Sequence, residues 1–112
     1  MEQQTLTLGV DVGGTNTKIG AVDQSGKVLA YQKFPSRAQE TFSDFLMDLK
    51  SSFEQLKVKL DPHVQFIGTG VGAPDVNVFT GEMDHAANFK WGENIPLKKG
   101  IYSTFGQWFF SN

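Results

Sequence analysis

Cysteine is absent from the 112 residues. That excludes a disulfide framework and any thiolate metal site, zinc included. Basic excess is missing too: 10 Lys and Arg face 12 Asp and Glu, for a net charge of −2. The chain therefore carries no basic footprint for nucleic acid or for an anionic membrane surface. No apolar run approaches the ~20 residues that span a bilayer. Met1-Glu2-Gln3-Gln4 is acidic and polar and lacks the pattern of a secretory leader. No internal repeat, low-complexity tract or linker breaks the chain. A cytoplasmic location is the expectation that fits these absences.

What is present suits one domain. A chain of this size removes roughly two thirds of its unfolded surface from water, and ten Phe and two Trp supply bulk for a core. Residues 5–10 alternate apolar and polar, which predicts a strand; 17–22 and 27–34 predict two more. Asp23-Gln24-Ser25-Gly26 is a turn signal between the latter pair. Links this short force antiparallel neighbours. Phe42, Phe45, Leu46, Leu49, Phe53, Leu56 and Leu60 share one helical face, which predicts a core-covering helix. Thr41 with Asp44 is its N-terminal cap, and Asp61-Pro62 its stop. Val64 to Val71 predicts a fourth strand, reached through the helix and so parallel to the first. Val76-Asn77-Val78-Phe79 and Glu82-Met83-Asp84 suggest a small hairpin. Ile95-Pro96-Leu97 opens a short helix to about Phe105, and Gln107-Trp108-Phe109-Phe110 reads as a fifth strand.

The chemistry concentrates in Asp11-Val12-Gly13-Gly14-Thr15-Asn16-Thr17-Lys18. Two glycines at a strand end let backbone N–H groups approach a ligand. A carboxylate just before them can hold a metal ion through water. The Thr15 hydroxyl and Lys18 suit phosphate oxygens. This is not a P-loop, since no Gly-Lys-Ser/Thr opens a helix. The bland alternative is a plain Gly-Gly hairpin with an incidental aspartate. Glycine at alternate positions from Gly68 to Gly72 leaves one strand face bare, where a backbone or a ligand would lie, and Gly72-Ala73-Pro74 also reads as a structural turn closing a buried strand. His63 reads as a solvated loop residue, and Trp91 as packing rather than a stacking platform.

Three segments in order resemble the N-terminal domain of the ROK family, whose enzymes are mostly glucokinases and related sugar kinases. They are Leu8 to Asp23, Gly70-Val71-Gly72-Ala73-Pro74, and Ala87-Asn88-Phe89-Lys90-Trp91 followed by Ile95-Pro96-Leu97. The resemblance implies an α/β fold of the ribonuclease H-like, actin-like ATPase kind, with a mixed five-stranded sheet and helices. It implies an ATP-dependent hexose kinase that uses Mg²⁺. Asp11, Gly13, Gly14, Thr15 and Lys18 would form its phosphate site, with Asp11 positioning the metal through water. Gly72, Ala73, Pro74, Asp75, Asn77, Asn88 and Asn112 would lie on the sugar side.

The sequence also departs from the family pattern. Asp75 stands where glycine is frequent, and Ala87 where proline is. Asn112 matches the asparagine of the family's Asn-Asp pair, in which the aspartate is the catalytic base. The expectation is an N-terminal domain ending before that aspartate and before the C-terminal lobe. Such a fragment would be inactive by itself and prone to homo-oligomerise, by domain swapping or sheet-edge pairing. Two other readings stand beside the kinase. One is a non-enzymatic sugar- or nucleotide-binding module. The other is a ribonuclease H-like nuclease, for which only Asp11 of the several carboxylates needed is well placed.

Overall fold

The computed structural model describes residues 4–74, 76–77, 79–84 and 89–105. Within them the chain runs β1 (Thr5–Val12), β2 (Asn16–Val22), β3 (Val28–Pro35), α1 (Phe42–Val58), β4 (Gln65–Gly72), β5 (Val76–Asn77), β6 (Glu82–Met83) and α2 (Leu97–Phe105). The main sheet has order β3-β2-β1-β4. β1–β2 and β2–β3 pair antiparallel, and β4 pairs parallel with β1. β5 and β6 form a separate two-stranded ribbon. The expected strand directions hold, in a sheet of four described strands. The expected fifth strand, 107–110, lies outside the described residues.

Period-2 alternation decides which side of the sheet is covered. Leu6, Leu8, Val10 and Val12 of β1 and Ile19 and Ala21 of β2 are all at most 3 % exposed. They face α1, which lies across β2 and β3. The helix starts where predicted, with the Thr41 side chain accepting from the Asp44 N–H at 3.1 Å. Phe45, Leu49 and Leu56 are fully buried on its inner face. Phe45 centres an aromatic cluster, with ring centroids 4.8 Å from Trp91 and 5.9 Å from Phe34. Phe89 adds an edge-on contact to Trp91 at 4.6 Å. The 89–91 segment is thereby packed against α1, and Trp91 serves as core. At the other end of α1, Phe53 meets Phe66 of β4 and Phe105 of α2 edge-on at 5.0 and 4.9 Å.

The opposite side of the sheet is built differently. Gly70, Gly9, Gly20 and Tyr31 align across the four strands, and Gly72, Asp11, Lys18 and Lys33 align beside them. Among the described residues, nothing lies within 4 Å of where a side chain on Gly70 or Gly72 would begin. On this face Asp11 of β1 stands opposite Lys18 of β2, next to the β1–β2 turn.

Candidate phosphate-binding site

The β1–β2 turn spans two residues, Gly14 and Thr15, closed by the Gly13 N–H donating to the Asn16 carbonyl at 3.1 Å. Neither Gly13 nor Gly14 takes a left-handed φ. The glycines are therefore not there to make a primed hairpin turn, which is what a plain Gly-Gly hairpin would need. Each has a separate reason. A Cβ on Gly13 would sit 2.6 Å from the Asn16 carbonyl oxygen, so only glycine lets the turn close. At Gly14 nothing lies within 4 Å of that position. The space is open, and it faces outward.

This geometry corrects one sequence expectation. The Gly13 N–H is consumed inside the turn, so Gly13 shapes the site and does not donate to a ligand in this conformation. The Gly14 and Thr15 N–H groups, among the described residues, make no backbone hydrogen bond. Both residues are exposed and line an open pocket of about 590 Å³ with Pro35, Ala38 and Gln39. Asp11 and Lys18 are exposed on the glycine-rich face beside the turn. Among the described residues, neither enters an ion pair within 4.0 Å.

The turn is held from behind by residues that sequence reasoning passed over. The Ser36 N–H donates to the Thr15 carbonyl at 2.9 Å, and the Ser36 hydroxyl donates to the Gly13 carbonyl at 2.5 Å. The Thr17 hydroxyl lies 2.7 Å from the Ser36 hydroxyl, and both residues are 0 % exposed. Thr17 had a readable signal: it is a polar residue at an inward position of β2, in line with Ile19 and Ala21. Ser36, after Pro35, had none.

The next residue, Arg37, adopts φ +56°, a left-handed conformation costly for a side-chain-bearing residue. Several contacts over-determine it. Its carbonyl accepts from the Trp91 indole N–H at 3.1 Å, and the Ala38 carbonyl accepts from the Lys90 N–H at 2.6 Å. Its guanidinium pairs with Asp48 (Nε to Oδ2, 2.8 Å) and Glu40 (Nη1 to Oε1, 3.3 Å). Asp48 first, then Glu40, push the Arg37 pKa up. That charge is already balanced by two carboxylates, so Arg37 acts here as a structural tie.

Of the sugar-side residues, Gly72 ends β4 directly beside Asp11 in register. Ala73 packs against the core and Pro74 is exposed. The Asn77 side-chain oxygen accepts from the N–H groups of Phe79 and Thr80 at 2.9 and 3.2 Å, so it is committed to the β5–β6 turn. Its amide nitrogen is a separate donor that these two bonds do not use. Asp75, Asn88 and Asn112 lie outside the described residues. His63 is exposed and donates its N–H to Asp61, as expected of a loop residue.

An acid and a glycine turn at the end of a central strand, with the antiparallel β2 and then β3 on one side and a parallel β4 on the other, define the actin-like ATPase class of α/β fold. The chain belongs to the ROK family, whose model matches residues 7–111. It is 31 % identical over 103 residues to a glucokinase of Streptomyces coelicolor, covering 90 % of this chain and 30 % of that protein. It superimposes on a ROK family glucokinase from Streptomyces griseus in complex with glucose and AMPPNP with a TM-score of 0.80 and 25 % identity, covering 96 % of this chain and 33 % of that one. A ROK family transcriptional regulator, a homologue of the E. coli MLC protein, also superimposes with a TM-score of 0.80. At 19 % identity, covering 97 % of this chain and 28 % of that one, it shows the fold alone. The chain thus spans about a third of the length of these relatives.

Proposed function

We propose that this chain supplies the phosphate-binding lobe of an ATP-dependent, glucokinase-like hexose kinase, in which a sugar hydroxyl attacks the γ-phosphoryl group. The observation that carries the reading is that the exposed Gly14 and Thr15 make, among the described residues, no backbone hydrogen bond through their N–H groups and line an open pocket. Phosphoryl transfer asks the protein chiefly for positioning and charge neutralisation. In this reading Gly14 and Thr15 donate to phosphate oxygens, and Lys18 adds positive charge.

Mg²⁺, bound with the nucleotide, neutralises phosphate charge. Among the described residues no three His, Asp or Glu side chains cluster to cage a metal. One exposed carboxylate, Asp11, fits a magnesium ion that keeps its waters and takes phosphate oxygens. Gly72, Ala73 and Pro74 form part of the sugar wall, with Asp75, Asn88, Asn112 and the amide nitrogen of Asn77 as its polar contacts. The S. griseus relative, whose complex holds glucose and AMPPNP, supports a sugar and a nucleotide as ligands.

The 112 residues by themselves bind without turnover in this reading. None of them matches the family's catalytic aspartate, and general-base catalysis contributes about 10²–10⁴-fold. We further place the protein in the cytoplasm and expect it to homo-oligomerise; no helix among the described residues is long and apolar enough to cross a membrane. Calorimetric titration with glucose and with Mg·ATP, beside a coupled kinase assay, tests the reading. Saturable binding without turnover is expected. Absence of nucleotide binding would sink the phosphate-site assignment, and turnover would sink the inactivity of the isolated chain.

A further inference from the structure

Ser36 and Thr17 form a buried hydroxyl pair that no step of phosphoryl transfer uses directly. We propose that Ser36, oriented by Thr17, is the positioning residue that aims the phosphate turn. The proposal rests on the reading of Gly14 and Thr15 as phosphate donors and adds what sets their direction.

A serine hydroxyl has one proton to give. Ser36 gives it to the Gly13 carbonyl, which has no proton to return. The Thr17 hydroxyl must then be the donor in its 2.7 Å contact with the Ser36 oxygen. Both residues are 0 % exposed, so no solvent competes and the chain Thr17 to Ser36 to Gly13 has one direction.

Peptide planarity carries that direction to the site. A trans peptide points its C=O and the following N–H to opposite sides. Holding the Gly13 carbonyl toward Ser36 therefore turns the Gly14 N–H away from Ser36. The Ser36 N–H holds the Thr15 carbonyl in the same way, which fixes the Thr15–Asn16 peptide. The Gly14–Thr15 peptide is left between two pinned planes, with glycine's freedom at Gly14 removed by tertiary contact. Such pre-organisation lowers the ordering cost of binding an anion.

The test uses the 112-residue protein labelled with ¹⁵N, with inorganic triphosphate as the probe. In the unaltered protein the Gly14 and Thr15 amide signals should shift saturably. Ser36→Ala should raise the dissociation constant about tenfold, the scale of one lost hydrogen bond. Thr17→Val, which keeps the Ser36–Gly13 bond, should raise it by less than about threefold. Ser36→Thr, which restores the hydroxyl, should recover most of the affinity.

Ser36→Ala also strands the Thr17 hydroxyl and lowers the melting temperature. The Ser36→Ala/Thr17→Val double variant removes that orphan, so melting should recover in part, short of the lost Ser36–Gly13 bond, while affinity stays low. A folded double variant that binds triphosphate as tightly as the unaltered protein would overturn the proposal. If triphosphate leaves the unaltered protein's Gly14 and Thr15 signals unmoved, the phosphate reading fails. The clamp is then judged without ligand: Ser36→Ala should move the Gly14 and Asn16 ¹⁵N resonances and speed Gly14 amide exchange. Unchanged resonances and exchange would refute it.

Discussion

The two turns of the antiparallel β1-β2-β3 meander look alike in sequence, an aspartate followed within three residues by glycine, yet they are opposites in structure. The β2–β3 turn satisfies itself. The Asp23 carboxylate accepts from the Ser25 N–H at 2.9 Å, the Ser25 hydroxyl at 2.7 Å and the Lys27 N–H at 2.9 Å. The Asp23 N–H donates to the Lys27 carbonyl, the Gly26 N–H donates to the Asp23 carbonyl, and Gly26 takes φ +90° because the turn requires it. The β1–β2 turn leaves Asp11, Gly14 and Thr15 with polar groups to spare and is braced from outside by Ser36. A turn that consumes its own donors is structural. A turn whose carbonyls are held by a distant residue keeps N–H groups to spare, which is what the proposed phosphate site requires.

That contrast can be broken or sharpened by substitution. The largest effect is expected from Gly13→Val, whose Cβ would meet the Asn16 carbonyl oxygen at 2.6 Å. Backbone cannot yield cheaply there, and overpacking of this kind costs about 1–3 kcal/mol. Thermal unfolding should show the loss, and triphosphate binding should vanish with it.

Gly26→Ala comes next. It forces a Cβ into the left-handed region at a cost of about 1–2 kcal/mol. Triphosphate affinity should be unchanged, because the self-satisfied turn lies at the other end of β2. A matching fall in affinity would mean that the two turns are not independent.

Asp23→Ala should lower the melting temperature less, and in a pH-dependent way. Hydrogen bonds, from the Ser25 side chain first and then the Lys27 backbone, hold the Asp23 pKa below its usual 3.8. A carboxylate depressed in the folded state stabilises above its unfolded pKa, and that contribution fades as pH falls through the folded value. The gap in melting temperature between the unaltered protein and Asp23→Ala should therefore hold at neutral pH and close below about pH 3.8. A gap constant to pH 2 would remove the carboxylate from the account.

The smallest stability effect belongs to Gly14→Ala, within about 0.5 kcal/mol, since the added methyl enters open space on the surface. Its effect on triphosphate binding should nonetheless be clear, because that space is where the phosphate would approach. Unchanged stability together with unchanged affinity would return the turn to the plain-hairpin reading.

The helix and the strand directions were legible in the sequence because their causes are local. The 3.6-residue spacing of Phe42 to Leu56 made one face, and Thr41 capped it as read. β4 came out parallel because a helix separates it from the meander. The site was legible only in part. Asp11 and the two glycines stood out, but both glycines were read as donors of N–H groups, whereas the Gly13 N–H closes the turn. Asn77 read as a polar contact, and nothing local signalled that its side-chain oxygen would accept from the Phe79 and Thr80 N–H groups. Arg37 gave no sign of its left-handed conformation, because the Trp91 and Lys90 contacts that enforce it are remote in sequence.

Patterning and short loops act over a few residues, so the periodic elements, the covered face of the sheet and the place of the glycine turn could be read along the chain. The tertiary structure alone decided which way that turn faces. Ser36 reaches it from 23 residues away and Thr17 reaches Ser36 from 19. A carbonyl's direction is set by whichever donor the fold brings beside it.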